Sequence, residues 1–169
     1  LLKATSCDEA NVVVCATDSF GLRNQNADTA QQIAAMAEVA RDQATNGGPP
    51  LSLTISVAFG CPFEGEVPLD RVVSIAREAA ALGVPEIAIA DTIGAADPWA
   101  VRRRVEAVRA TAPDARLRLH FHDTRNTGLA NAAAGVDAGV DVLDASCGGI
   151  GGCPFAPKAT GNVATEDLV

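Results

Sequence analysis

Short runs of aliphatic and β-branched residues recur five times along this chain, and a helical pattern separates each from the next. The runs are Val12–Ala16, Leu51–Phe59 (LSLTISVAF), Glu86–Ala90 (EIAIA), Leu117–His122 (LRLHFH) and Val140–Ala145 (VDVLDA). Near-continuous apolar runs of this length suit strands covered on both faces, as in a parallel sheet. Between them, Ile33, Met36, Ala37, Ala40 and Ala44 recur at helical spacing over Thr29–Thr45. Asp28 serves as N-cap and Gln31 as its capping-box partner. Leu69–Leu82 gathers Val72, Val73, Ala76, Ala79 and Ala80 on one face, with Gly83 as the residue beyond the C-cap. Asp97-Pro98 reads as a cap followed by a first-turn proline, and Val101, Val105 and Val108 continue that stripe. Gly128–Ala138 gives a fourth helix, closed by Gly139.

A β-α-β-α-β-α-β-α-β order leaves two architectures, an open doubly wound sheet or a (β/α)8 TIM barrel. A nucleotide-binding open sheet would carry Gly-x-Gly-x-x-Gly after its first strand, or a P-loop lysine, and neither is present. The polar residues instead gather at strand C-termini: Asp18, Asp91-Thr92, His120 to Asp123, and Ser146-Cys147. That distribution is the barrel pattern. A whole barrel takes roughly 250 residues and eight strands. We therefore read residues 1–169 as one partial barrel domain of about five strands and four helices, with the first strands missing. The chain opens on Leu1-Leu2 without an initiator Met and stops at Leu168-Val169, where a helix is beginning. Both features read as an internal piece of a longer protein.

Composition narrows the function. The chain carries 21 acidic against 13 basic residues, a formal charge of −8. Such a surface repels phosphate backbones and excludes nucleic acid as a natural partner. The local run Arg102-Arg103-Arg104 reads as a solvated helix face. No apolar run reaches membrane-spanning length, so no membrane partner is expected. Five scattered cysteines, an odd number with no signal peptide, suit reduced thiols in a cytoplasmic setting.

The chain's two histidines, His120 and His122, share one face of a single strand end, because strand side chains alternate. Two imidazoles side by side are half of a metal site. Arg118 shares that inward face and needs an acid; Asp144 on the next strand is the expected partner. Cys153 follows four glycines in Gly148-Gly149-Ile150-Gly151-Gly152-Cys153-Pro154, a loop able to carry a thiol to a ligand. The competing reading is a turn with an incidental thiol. Cys61, in Gly60-Cys61-Pro62-Phe63, lacks the glycine run and reads as structural. Asn162 either caps the last helix, a task Thr165 could also perform, or offers an amide oxygen to Mg²⁺ or Mn²⁺.

Five stretches in order carry a family resemblance: Gly60-Cys61-Pro62-Phe63-Glu64-Gly65, Asp91-Thr92-Ile93-Gly94, His120-Phe121-His122-Asp123-Thr124, Gly151-Gly152-Cys153-Pro154-Phe155-Ala156, and Gly161 through Val169. From about Val12 to the last residue the chain resembles the hydroxymethylglutaryl-CoA lyase family of barrel metallolyases. The resemblance implies that His120, His122 and Asn162 are three ligands of a divalent cation, Mg²⁺ or Mn²⁺. It implies Cys153 as the catalytic loop cysteine and Asp91 as an acidic active-site residue. It also implies an acyl-CoA thioester substrate, cleaved to acetoacetate and acetyl-CoA, and a second copy as partner of the whole protein. The family's fourth ligand, an Asp, with its neighbouring Arg and a Glu, belongs to the first two strands, which are absent here. Thr54 stands where relatives carry Tyr, and Arg125-Asn126-Thr127 varies the segment after the histidines. The alternatives are a related acyl-CoA lyase, a Claisen-type synthase of the isopropylmalate or homocitrate kind on the same barrel, or a piece that is catalytically silent as it stands.

Overall fold

The computed structural model describes residues 7–152, 154–155 and 160–169. Five parallel strands form its main sheet: β1 (Ala10–Cys15), β2 (Leu51–Ser56), β5 (Glu86–Asp91), β6 (Arg116–Phe121) and β7 (Val142–Asp144). Their order in the sheet is their order in the chain. A doubly wound sheet reverses its order at a switch point, whereas a barrel advances one strand at a time. The sheet is therefore an arc of a (β/α)8 barrel, as the sequence indicates.

The strands stand in a single register. Ser52 pairs with Asn11 and Glu86, Ala88 with Thr54 and Arg118, and Ala90 with His120, which faces Asp144 on β7. The alternate positions Leu53, Ile55, Ile87, Ile89, Leu117 and Leu119 are completely buried beneath the helices. Burial of each such side chain stabilises the fold by about 1.5–3 kcal/mol. The helix layer comprises α2 (Thr29–Asn46), α3 (Leu69–Ala81), α4 (Pro98–Thr111) and α5 (Gly128–Asp137). The expected start signals are present. Asp28 and Gln31 form the capping box of α2, and Asp97 caps α4 through the Ala100 amide. Gly83 (φ 70°) and Gly139 (φ 80°) adopt the left-handed turn after α3 and α5.

Several elements depart from the sequence reading. A helix, α1 (Asp18–Gln25), follows β1; its residues are too polar to show a stripe. The run Leu51–Phe59 stops as a strand at Ser56, because Val57 takes a left-handed φ of 51° and its amide bonds to Thr92 Oγ1 at 2.8 Å. The chain then folds into a hairpin, β3 (Gly60–Cys61) with β4 (Gly65–Glu66). The helix begun at the C-terminus is α6 (Thr165–Leu168), whose N-cap is Ala164, so neither Asn162 nor Thr165 caps it.

Two charged positions are also corrected. Arg118 does not pair with Asp144. It forms an ion pair with Glu86 and approaches Glu9 at 3.7 Å, because its stem crosses back toward the strand N-termini while Asp144 is occupied by His120. Arg104 is not on a solvated face. It is 7% exposed, sharing the buried stripe of α4 with Val101, Val105 and Val108.

Asp141 joins three elements below this layer. Its carboxylate accepts from the Leu117 amide at 2.7 Å and from Arg109 at 2.6 Å. The Leu117 amide first, then Arg109, holds its pKa below the ordinary range. A depressed pKa gives stability that is present above the unfolded value, about 4, and lost as pH falls through the folded value. Asp141→Ala is expected to cost about 1 kcal/mol at neutral pH, its partial exposure limiting the effect. Urea midpoints should show that gap closing below about pH 4.

Candidate active site

The inner face of the sheet, at the strand C-termini, brings the two histidines together. Their rings lie 5.2 Å apart, edge to face. Each Nδ1 is already engaged. His120 Nδ1 bonds to Asp144 Oδ1 at 2.6 Å, across the strand register. His122 Nδ1 donates to the Thr160 carbonyl at 2.8 Å. An imidazole that donates through Nδ1 keeps a bare lone pair on Nε2, the arrangement in which histidine ligates metals. His122 is 5% exposed. Burial holds its pKa below the ordinary histidine range, and the neighbouring His120 acts in the same direction, so the ring is neutral at neutral pH.

Asn162 comes beside His122 through an isolated antiparallel bridge between the two residues. Bridge partners project side chains to the same face. The Asn162 amide nitrogen donates to the Ile150 carbonyl at 3.0 Å, while its Oδ1 is buried and has no hydrogen-bond partner among the described residues. A buried carbonyl oxygen without a donor is costly, about 1–3 kcal/mol. A cation would satisfy it.

The segment that carries Asn162 is knitted between β6 and β7. Asp123 and Val163 amides bond to Gly161 and Phe121 carbonyls at 3.1 Å, and the Ser146 and Thr165 amides bond to Val163 and Ser146 carbonyls at 3.1 and 2.9 Å. The glycine run lies directly against it. A Cβ on Gly149 (φ 66°) would stand 2.8 Å from the Asn162 carbonyl oxygen, so this position excludes every side chain. Cys153, the expected catalytic loop cysteine, lies outside the described residues.

Asp91 ends β5 on the helix-facing side, in line with Ile87 and Ile89. It is completely buried, and its oxygens accept from the Ala95 and Ala96 amides at 2.8 and 2.9 Å. Burial raises its pKa despite these bonds. Its carboxylate therefore anchors the loop Thr92–Ala96. Cys61 is buried as a structural thiol, accepting from Thr17 Oγ1 at 3.1 Å and the Phe63 amide at 3.4 Å.

Two imidazole nitrogens and an amide oxygen fit a divalent cation. Among the described residues no three His, Cys, Asp or Glu side chains form a metal-binding group. A cation here would thus depend on the amide, or on a further carboxylate from elsewhere. Sequence reasoning missed the role of Asp144 as the partner of His120; its signal was the strand register, two apolar runs aligned. Asp144→Ala is expected to weaken Mn²⁺ binding about ten- to a hundredfold, read by titration calorimetry.

The two imidazoles and the amide of Asn162 thus meet at the strand C-termini of a barrel arc, the end at which barrel enzymes carry their active sites. Residues 3–169 match the HMGL-like family model, and the chain belongs to that family. It is 39% identical over 162 residues to a hydroxymethylglutaryl-CoA lyase of Bacillus subtilis, covering 96% of this chain and 54% of that protein. It is 42% identical over 173 residues to an (R)-citramalyl-CoA lyase of Chloroflexus aurantiacus, covering 100% and 53%. The solved structure of an HMG-CoA lyase from Brucella melitensis superposes with a TM-score of 0.90 at 36% identity, covering 98% of this chain and 58% of that one. The chain spans about half the length of the curated relatives it matches. No helix among the described residues is long and apolar enough to cross a membrane.

Proposed function

We propose that the intact protein is a divalent-metal-dependent carbon–carbon lyase that cleaves 3-hydroxy-3-methylglutaryl-CoA to acetoacetate and acetyl-CoA. The observation that carries this reading is the buried Oδ1 of Asn162, without a hydrogen-bond partner among the described residues, beside two imidazoles whose Nδ1 atoms are both engaged. His120, His122 and Asn162 would hold Mg²⁺ or Mn²⁺. The bound ion would polarise the tertiary hydroxyl and orient the bond to be broken.

The chain's own residues supply the remaining functions. Asp144 and the Thr160 carbonyl fix the tautomer and orientation of the two imidazoles. Asp91 holds the loop between β5 and α4, and through Thr92 it holds the end of β2. Loss of the hydroxyl proton breaks the C2–C3 bond of the acyl chain, leaving a ketone on one fragment and a thioester enolate on the other. The enolate carbon takes a proton to give acetyl-CoA, and Cys153 is assigned that transfer by its place in the family motif. The base and the fourth ligand are assigned to strands outside this sequence.

A second substrate is favoured by one observation, the slightly higher identity to a citramalyl-CoA lyase. Citramalyl-CoA has one methylene fewer and would give pyruvate and acetyl-CoA by the same bond cleavage. The intact protein with Mn²⁺, offered each thioester, decides between them. Acetoacetate release supports the first reading and pyruvate the second, while no acetyl-CoA from either overturns both. A cytoplasmic enzyme acting as a pair of identical chains completes the proposal.

A further inference from the structure

We propose that Arg104 is a positioning residue for the metal-binding strand end: from inside α4 its guanidinium clamps both feet of the β3–β4 hairpin and, through Phe59, sets Phe121 and hence the two histidines that flank it.

The geometry is continuous. Nε of Arg104 donates to the Ala58 carbonyl at 2.8 Å and Nη2 to the Val67 carbonyl at 2.9 Å, the residues on either side of the hairpin. The guanidinium lies over the Phe59 ring, 4.8 Å from its centroid. Phe59 in turn meets the Phe121 ring at 6.2 Å, within the range of favourable aromatic contact. Phe121 lies between His120 and His122, and its side chain points to the opposite face of the strand, so a shift of that ring moves the backbone from which both imidazoles project.

The clamped segment also needs holding. Val57, a β-branched residue in the left-handed region (φ 51°), is costly there and persists only where neighbours over-determine it. The bonds that fix it are the Val57 amide to Thr92 Oγ1, the Ala58 amide to the Ala90 carbonyl at 3.0 Å, and Arg104 on the Ala58 carbonyl. The hairpin's far end is fastened to α1, where Glu64 accepts from the Ser19 amide at 2.9 Å and Arg23 covers Phe63 at 4.1 Å.

No carboxylate bonds to Arg104 among the described residues. A buried cation held only by two carbonyls and a ring is an expensive way to fill a helix stripe. An apolar residue would fill the space more cheaply. What the guanidinium supplies is two directed donors on a rigid plane.

Three variants of the intact protein test the assignment, which rests on the metal reading only for its first measurement. Arg104→Met keeps the volume and removes the donors, Arg104→Lys keeps the charge with a compact donor, and Arg102→Met removes an exposed arginine of the same run. Arg104→Met should weaken Mn²⁺ binding roughly tenfold, in the range of groups that orient ligands. It should also speed amide exchange at Ala58–Val67 and at Phe121 and His122, while its thermal midpoint moves little. Arg104→Lys should recover part of both, and Arg102→Met should match the wild type. Unchanged exchange at Phe121 and His122 in Arg104→Met, or an equal loss in Arg102→Met, overturns the assignment. A wild type that binds no Mn²⁺ removes the metal reading alone; Arg104 is then judged by exchange, faster upholding it and unchanged overturning it. Where Arg104→Met does not fold, Arg104→Lys is compared with the wild type by the same criterion.

Discussion

Replacing His122 by alanine should abolish most Mn²⁺ binding and lower the lyase rate of the intact protein by about a thousandfold, equivalent to ~4 kcal/mol of lost transition-state stabilisation. Three effects combine at this residue. The variant lacks one of the three donors proposed for the ion. It also leaves the Thr160 carbonyl without its donor, loosening the segment that carries Asn162 by about 1 kcal/mol. The buried space then admits water to the remaining amide oxygen. Electron paramagnetic resonance of Mn²⁺ measures the first effect without any turnover. An affinity within threefold of the wild type would remove His122 from the ligand set. By contrast, a lost rate with metal binding retained would assign it a role in the chemistry instead.

The second large effect is expected at Asp91. Alanine there would strand the buried amide of Ala96 and the partly buried one of Ala95, and should cost about 3 kcal/mol. Asparagine keeps the shape and one acceptor and should cost about half as much. The charge adds a pH signature. Burial raises the folded pKa of Asp91 above its unfolded value. The native state therefore holds this proton more tightly, and the stability it contributes is full below about pH 4 and declines as pH rises through the folded value. Asp91→Asn carries no such slope. Urea midpoints should show a wider gap between wild type and Asp91→Asn at pH 4 than at pH 7. A gap that widens toward neutral pH would mean that the two amide bonds, rather than burial, dominate the carboxylate.

The sheet and the four long helices were legible because burial imposes periodicity. In β5 and β6 the alternation is carried by Ile87, Ile89, Leu117 and Leu119, which share the helix-facing side of the sheet. Cap residues such as Asp28 and Gly83 mark helix ends through local hydrogen bonding and backbone sterics, both of which are local in sequence. What escaped notice depends on contacts across the chain. The polar helix α1 is held by distant partners, and β2 ends at Val57 because Thr92, thirty-five residues later, takes its amide. His120 and His122 were legible as a pair since one strand carries both. Their orienting partners, Asp144 and Thr160, come from other segments and surface only in the register and the bridge. Arg118 illustrates the same limit: its need for an acid was clear, but its direction along the barrel was not. Arg104 did leave a trace, since Val101, Arg104, Val105 and Val108 form one stripe.

Ser146 and Ala164 lie side by side as bridge partners, and the amides of Ser146 and Thr165 close the backbone at that point. The seventeen residues between them therefore begin and end at the same place on the barrel, and topologically they are an insert. Its chemistry can be rewritten without unpairing a strand, provided the return still delivers an amide beside His122. The site is in this sense a cassette, an exchangeable module mounted on an unchanging frame, and new reactivity is more readily obtained by recombining this loop than by altering the sheet beneath it.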